Sequence, residues 1–472
     1  MAAFNNFTRG ATVGLLPWPH NQCHFKGAHS MDIAIALLIS FTALLIAVGH
    51  GLSLFWPLLA VLGLMLSAYL RRGVPWACLR DLMLQGVRQA LGVLSILLLI
   101  GGVVAAWLLA GTVPALVFYG LQIIHPQWFL VSAFGLTALV STLLGTSFGS
   151  AGTIGLALMI MARGADVPEA WAAGAVIAGA YVGDRCSPMS SSAHLVAVIT
   201  DTSLYRNLRA MVFTSWGPLL LTGLIYGMAS LRYPLSVVDN PLAANIQATF
   251  VINPIAFLPA ILLVLLTVLR WPVRRTLGIS LASAISLAIL LQAQSLPTVV
   301  KTLLWGFQLS PDDSLSQIFK GGGLWTMGQV CSIVLASTAL AGLLAGMGTF
   351  EALGKALTRW PGPRGRFQGT LLASLLASAF GCTQTIAILL TQQIMQPHYR
   401  TTGANPEQLA IDIENSAVVL APLIPWNIAG LVPAAVILTD ASFIPYAVYL
   451  YLLPLWHLLR YSQQTFLSQQ ED

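Results

Sequence analysis

Apolar runs long enough to cross a bilayer recur along this chain from Ile33 to Leu459. A span takes about 20 predominantly apolar residues, and runs of that kind cover 33–48, 52–70, 91–109, 131–161, 172–199, 212–231, 255–269, 277–291, 325–347, 369–395, 409–437 and 443–459. Inside hydrocarbon the backbone has no water to bond, so a spanning chain must be helical or a closed barrel. Runs of this length call for helices. Only 8% of the 472 residues are charged, where a soluble domain has about 25%. The expected class is an all-α polytopic membrane protein with about 10 transmembrane helices.

Charge placement predicts the sidedness. Positive short loops lie on the cytoplasmic side. Arg71, Arg72, Arg80 and Arg88 form one such loop, Arg206 and Arg209 a second, and Arg270, Arg274 and Arg275 a third. Lys355, Arg359, Arg364 and Arg366 form a fourth, and Arg460 follows the last run. Residues 111–127 hold no Lys or Arg and 297–320 are balanced, which suits the outer face. Both termini are therefore expected in the cytoplasm, with the chain in the cell (inner) membrane. The parts expected are a cytoplasmic tail over 1–30, a first membrane repeat over 31–232, an outer linker over 233–253, a second repeat over 254–460 and a tail over 461–472.

The net charge of +6 is spread over these loops. No basic run interleaved with aromatics argues for nucleic acid. His20 and His24 have helical metal spacing, but Pro17 and Pro19 oppose a helix there, so a disordered tail is the expectation. The five cysteines form no CxxC, and no zinc site is suggested. Walker, nucleophile-elbow and metal-helix motifs are lacking, so neither an ATP-driven pump nor an enzyme is supported. No cofactor and no resident metal are called for.

Polar residues interrupt several runs. Gly183-Asp184-Arg185-Cys186-Ser187-Pro188-Met189-Ser190-Ser191-Ser192 lies between apolar stretches. A charge near the bilayer centre costs roughly 2.5–3.5 kcal/mol on insertion scales, and proline removes a backbone donor. Irregular backbone survives at that depth only when buried in protein or lining a wet cavity. The segment reads as a broken helix facing an internal site. The alternative is a short polar loop between ordinary helices.

A second interruption, Phe148-Gly149-Ser150-Ala151-Gly152-Thr153-Ile154, aligns with Phe380-Gly381-Cys382-Thr383-Gln384-Thr385-Ile386. Asp184 to Pro188 pairs loosely with Glu414 to Pro422. Corresponding loops carry opposite charge bias, since 355–366 is basic while 123–134 has no Lys or Arg. That pattern predicts two inverted-topology repeats, each with a re-entrant hairpin, and broken helices meeting at the midplane. Coincidence between two small-residue helices is the alternative. Gly149, Ser150, Gly152, Thr153, Pro188, Gly381 and Pro422 are the expected hairpin and hinge positions.

Intramembrane ionisable groups are few. Asp184 and Glu414 are near-equivalent in the repeat. Each can take up a proton or coordinate a hard cation through its oxygens, and a group that does one or the other couples the two movements. Neighbours in a helix do not face each other, so Asp184 is expected inward and Arg185 elsewhere; a structural Asp–Arg pair is the alternative. Ser187, Ser190, Ser191, Thr383, Gln384, Asn415 and Asn427 are candidate neutral ligands for an ion or substrate, with Ser192 and Thr385 nearby. Helix packing through small residues is the competing role for the serines. Trp426 is either part of a helix break or a packing aromatic. Asp412 is expected in a loop near the surface.

At these residues the chain resembles the NhaC family of sodium/proton antiporters, in the ion transporter superfamily. The resemblance rests on Gly145-Thr146-Ser147-Phe148-Gly149 with Gly152-Thr153, on the 183–190 segment, on Gln384-Thr385, and on Glu414-Asn415 with Pro422-Leu423-Ile424-Pro425-Trp426-Asn427. It runs from about residue 70 to 455. It implies a sodium-linked secondary transporter, a homodimer in the lipid bilayer and an elevator-like motion. Three departures stand out. Ser191 occupies the position where the family pattern has an acidic residue, and Thr383 one where Asn is frequent. His194 replaces an Asn. The wider family resembles carriers of organic solutes too, such as malate–lactate exchangers and amino-acid carriers. Sodium/proton antiport by alternating access is the first expectation. A sodium- or proton-coupled carrier of an amino acid or carboxylate is the second, and a passive channel or scaffold the third.

Overall fold

A computed structural model of the chain describes residues 30–50, 52–235, 242–313, 315–347 and 362–468, with side chains from 39 to 461. His20, His24, Lys355, Arg359 and the end of the C-terminal tail lie outside the described residues.

The described chain is helical, with one isolated antiparallel bridge between Phe307 and Gly321. In order, α1 is Ser30–Gly49, α2 Phe55–Arg71, α3 Trp76–Leu109, α4 Thr112–Ile123, α5 Phe129–Leu144, α6 Ser147–Ser150 and α7 Leu156–Gly164. Then come α8 Glu169–Cys186, α9 Ser191–Ile199, α10 Leu204–Arg232, α11 Leu242–Thr249, α12 Leu258–Val268, α13 Val273–Leu290, α14 Leu296–Trp305 and α15 Leu324–Gly346. Last are α16 Gly362–Gly381, α17 Gln384–Thr401, α18 Pro406–Glu414, α19 Ala417–Leu420, α20 Ile428–Val436 and α21 Val448–Ser468. The stretch expected as a plain outer linker, 233–253, thus contains a helix.

Five described helices are long and apolar enough to cross a membrane, or seven if each of two bent pairs counts as one span. The bends are 94° between Leu242–Thr249 and Pro254–Val268 and 55° between Pro406–Leu423 and Ile428–Val436. This is fewer than about 10, for a physical reason. Helices such as α8 are buried in protein, not lipid: α8 is Gly- and Ala-rich and buried without interruption from Ala172 to Arg185. Its Glu169, Asp184 and Arg185 set it apart from a plain span, and other runs form helices shorter than a span, such as Phe55–Arg71 and Thr112–Ile123. By contrast α10 exposes Phe213, Trp216, Leu220, Leu224 and Met228, a face suited to lipid.

Small residues let the central helices touch backbone to backbone. A Cβ on Gly183 of α8 would lie 2.0 Å from the Ser141 carbonyl carbon of α5. Helix α3 packs on α15 in the same way, since a Cβ on Gly86 would meet the Thr338 carbonyl oxygen at 2.1 Å. Helix α13 covers another side of α3, where Trp107 Nε1 donates to Ser280 Oγ at 3.0 Å. Helix α2 covers α15. A second group, α5, α8, α10 and α21 with α16–α19, holds the helix breaks.

Candidate functional site

Four helix breaks converge. In the first half, α5 ends at Gly145 in the left-handed region, φ 68°, where only glycine rests without strain. A side chain there would also strike the Met189 main chain, its Cβ 2.5 Å from the carbonyl carbon. Thr146 is extended, α6 starts at Ser147, and Ala151–Gly155 form a π-helical turn. Ser150 Oγ donates to the Thr146 carbonyl at 3.0 Å and Thr153 Oγ1 to that of Gly149 at 2.9 Å. Their hydroxyls thus serve their own helix.

The second break follows α8. Ser187 is extended, and its hydroxyl accepts from the Met189 N–H at 3.1 Å. Ser190 caps α9 by accepting from the Ala193 N–H at 3.3 Å. The hydroxyls of Ser190 and Ser192 both donate to the main-chain carbonyl of Asp184, the latter at 2.7 Å. These serines fix the break around Asp184 through its backbone. Pro188 and Ser191 are exposed, so Ser191 is not among the residues gathered here.

In the second half, Cys382 turns the chain with φ 55°, and Thr383 caps α17 by accepting from the Ile386 N–H at 3.1 Å. Gly381 packs on Ile386. The last break, 424–427, is stapled to this one. Ile428 N–H donates to the Cys382 carbonyl at 2.9 Å, Trp426 Nε1 to Ala379 O at 2.6 Å, and Asn427 Nδ2 to Ser378 O at 2.8 Å. Asn427 Oδ1 caps α20. Pro422 backs onto Gly430. Trp426 therefore belongs to the break and also packs, edge-on to Phe41.

The halves meet at Asp184 and Arg185. Asp184 Oδ2 accepts from Gln384 Nε2 at 2.9 Å and Oδ1 from the Ser147 N–H at 3.4 Å. Tyr181 OH donates to the Ala429 carbonyl at 2.7 Å. Arg185 is fully buried and turned from Asp184, as expected for adjacent helical residues. It donates to Asn415 Oδ1, Ser215 Oγ, Thr214 Oγ1 and the Met211 carbonyl. All are neutral acceptors.

Glu414 is fully buried, and among the described residues neither of its oxygens has a hydrogen-bond partner. Asn415 Nδ2 is unpartnered too. Asn415, the chain neighbour of Glu414, takes the Arg185 guanidinium on Oδ1. A lone ionised carboxylate buried this way is costly, so Glu414 calls for a proton or a cation. The region gathers two buried carboxyl groups, amide and hydroxyl oxygens and one buried guanidinium, groups that can take up a proton or a hard cation. No group of three or more His, Cys, Asp or Glu that could hold a metal occurs among the described residues.

Sequence reasoning named Asp184, Gln384, Glu414 and Asn415. It missed the Ser147 amide and the Tyr181 hydroxyl, whose roles depend on helix breaks meeting in space. His194 is half-buried, its Nδ1 2.7 Å from the Ser190 carbonyl. Asp412 departs from the expectation of a loop residue near the surface. It is not a surface loop residue: it lies in α18, fully buried, with Tyr399, His457 and Tyr461 on its carboxylate. Two buried aromatic hydroxyls and an imidazole from distant helices offset its polarity, and nothing local in the sequence signals that.

The sequence profile of the Na+/H+ antiporter family matches residues 179–459. The chain is 26% identical over 424 residues to the Malate-2H(+)/Na(+)-lactate antiporter of Bacillus subtilis (strain 168), covering 88% of this chain and 89% of that one. It is 29% identical over 401 residues to the Na(+)/H(+) antiporter NhaC of Alkalihalophilus pseudofirmus, covering 83% and 86%. It is 26% identical over 429 residues to the Arginine/ornithine antiporter ArcD of Halobacterium salinarum, covering 88% and 87%.

Proposed function

The chain belongs to the Na+/H+ antiporter family, and from that premise we propose that it exchanges sodium for protons across the cell membrane by alternating access. It is a multi-pass membrane transporter and not an enzyme. Asp184 and Glu414 are the groups that take sodium or protons in turn. Gln384, Asn415 and the carbonyls freed at the helix breaks supply neutral oxygens, with Ser187, Ser190, Thr383 and Asn427 holding those breaks. The observation that carries this reading is Glu414, a fully buried carboxyl group whose oxygens have no hydrogen-bond partner among the described residues, and whose neighbour Asn415 is bonded to Arg185 of the Asp184 segment. A cation neutralises the pair in one state and protons in the other.

The two halves act as inverted repeats around that site, which makes inward-open and outward-open states alike in energy. An elevator-like motion of a homodimer, with both termini cytoplasmic, completes the reading. The test is proton movement in proteoliposomes, followed by a pH dye inside vesicles with an imposed proton gradient. Sodium should dissipate the gradient. Absence of any response to sodium, lithium or potassium would remove this reading.

A second reading has its own support. Two relatives carry organic solutes in their names, malate and lactate or arginine and ornithine, and Ser191 stands where the family resemblance leads one to expect an acid. A carrier of an amino acid or carboxylate coupled to sodium or protons would use the same breaks. Counterflow of labelled solute into the same vesicles distinguishes it.

A further inference from the structure

Outside that cluster one group of buried polar side chains has no part in it so far. Asp412 is fully buried, and three side chains from two other helices close on its carboxylate. Tyr399 OH of α17 donates to Oδ2 at 2.6 Å. His457 Nε2 and Tyr461 OH of α21 reach Oδ1 at 2.8 and 2.9 Å. Tyr399 also meets Thr370 Oγ1 of α16 at 2.9 Å, and Phe367 stands edge-on to His457 with ring centroids 4.6 Å apart. Arg366 lies over the Tyr399 ring at 5.8 Å. The charged and titratable groups around Asp412 are therefore Arg366, Tyr399, His457 and Tyr461.

Asp412 and Glu414 are two residues apart in α18, so they leave the helix on opposite sides. The grip on Asp412 consequently fixes the rotation of the helix that carries Glu414 and Asn415. It reaches the break that follows as well: Ser416 Oγ donates to the Asp412 carbonyl at 2.6 Å and meets Ser374 Oγ of α16 at 2.8 Å. A buried ionic contact is weak as a source of stability, and its best-attested use is to set register. A hydrophobic residue would hold α18 in place without choosing its rotation.

We propose that Asp412, gripped by Tyr399, His457 and Tyr461, is a positioning residue that sets the rotation of α18 and so holds Asn415 on Arg185 and fixes where Glu414 points. The inference rests on the sodium/proton reading for its effect on transport, but its geometric content does not.

The experiment uses the full-length protein and two readouts, backbone hydrogen exchange in detergent and sodium-driven proton movement in proteoliposomes. Asp412→Asn should speed exchange over 406–420 by about tenfold or more, the effect of losing charge-assisted bonds, while α3 and α15 keep wild-type protection. The KM for sodium should rise by a similar factor with little change in the maximal rate. His457→Gln, whose amide can still donate to Asp412, should recover most of the affinity, and His457→Ala should not. Unchanged exchange and KM in Asp412→Asn would overturn the proposal, and so would an equal loss of protection in every helix. If the wild type moves no protons with sodium but Asp412→Asn still loosens 406–420 alone, the sodium reading falls and the positioning role stands.

Discussion

Gln384 Nε2 donates to Asp184 Oδ2 across 2.9 Å, so the first residue of α17 holds a carboxylate in the last turn of α8. The bond joins the helix breaks of the two halves. The same amide nitrogen lies 3.3 Å from the Val418 carbonyl, just past the break that follows Glu414. Replacing Gln384 with Leu keeps volume but leaves Asp184 short of a donor, at a cost of about 1–3 kcal/mol. Thermal unfolding in detergent should show that loss, and exchange activity should fall further than stability does. Gln384→Glu places a second acid against Asp184 and should be worse than Leu in both measurements.

Asp184→Asn removes the charge and keeps the shape. Its single amide oxygen can keep the Ser147 N–H while its Nδ2 donates to the oxygen of a turned-over Gln384 amide, so the protein should fold and elute normally on size exclusion. Coupled exchange should be abolished. Wild-type exchange in that variant would exclude Asp184 from the ion path.

Arg185 makes the opposite prediction, one of folding. Its guanidinium serves Asn415, Ser215, Thr214 and the Met211 carbonyl at once. Arg185→Met strands the buried Asn415 Oδ1, at about 1–3 kcal/mol, and removes one partner each from Ser215, Thr214 and the Met211 carbonyl, so it should lower the unfolding temperature. Arg185→Lys keeps the charge but loses the planar fork that reaches two sides, so it should fall between. An unfolding temperature for Arg185→Met equal to the wild type would contradict this account of the residue.

Gly183 and Gly135 form a matched pair. A methyl group on Gly183 has the α5 backbone in its way at 2.0 Å, while one on Gly135 meets nothing within 4 Å. Gly183→Ala should cost about 3 kcal/mol or more, the upper range for overpacking, and should abolish exchange. Gly135→Ala should be neutral or stabilise the helix by about 0.5–1 kcal/mol. Membrane yield and unfolding temperature of the two variants decide it.

Ser190 and Ser191 are neighbours with different expected outcomes. Ser190 caps α9 and bonds the Asp184 carbonyl, so Ser190→Ala should cost about 0.5–2 kcal/mol for the cap alone and reduce exchange. Ser191 is exposed, and Ser191→Ala should exchange like the wild type. A loss in Ser191→Ala would bring that hydroxyl back into the site.

Much of this arrangement is legible in the sequence because it breaks a rule. Polar residues, glycine and proline inside apolar runs cost too much to be incidental, so interruptions over 145–153, 183–192, 381–385 and 422–427 could be placed before any coordinates, though not the residues at which each helix ends. Adjacent residues on a helix diverge, which separated Asp184 from Arg185 correctly. What could not be read is pairing in space. Gln384 meeting Asp184, Arg185 meeting Asn415 and three side chains closing on Asp412 are contacts between distant helices. Two-residue spacing placed Asp412 on the face opposite Glu414 but could not tell whether that face was wet or filled. Nor does the apolar run that holds α8 tell that its residues from Ala172 to Arg185 face protein on every side.

The most direct measurement is equilibrium binding of radiolabelled sodium to the purified full-length protein, with Asp184→Asn and Glu414→Gln alongside. The account predicts saturable binding that protons displace and that either substitution removes while the protein stays folded. Saturable sodium binding that survives both substitutions would contradict it.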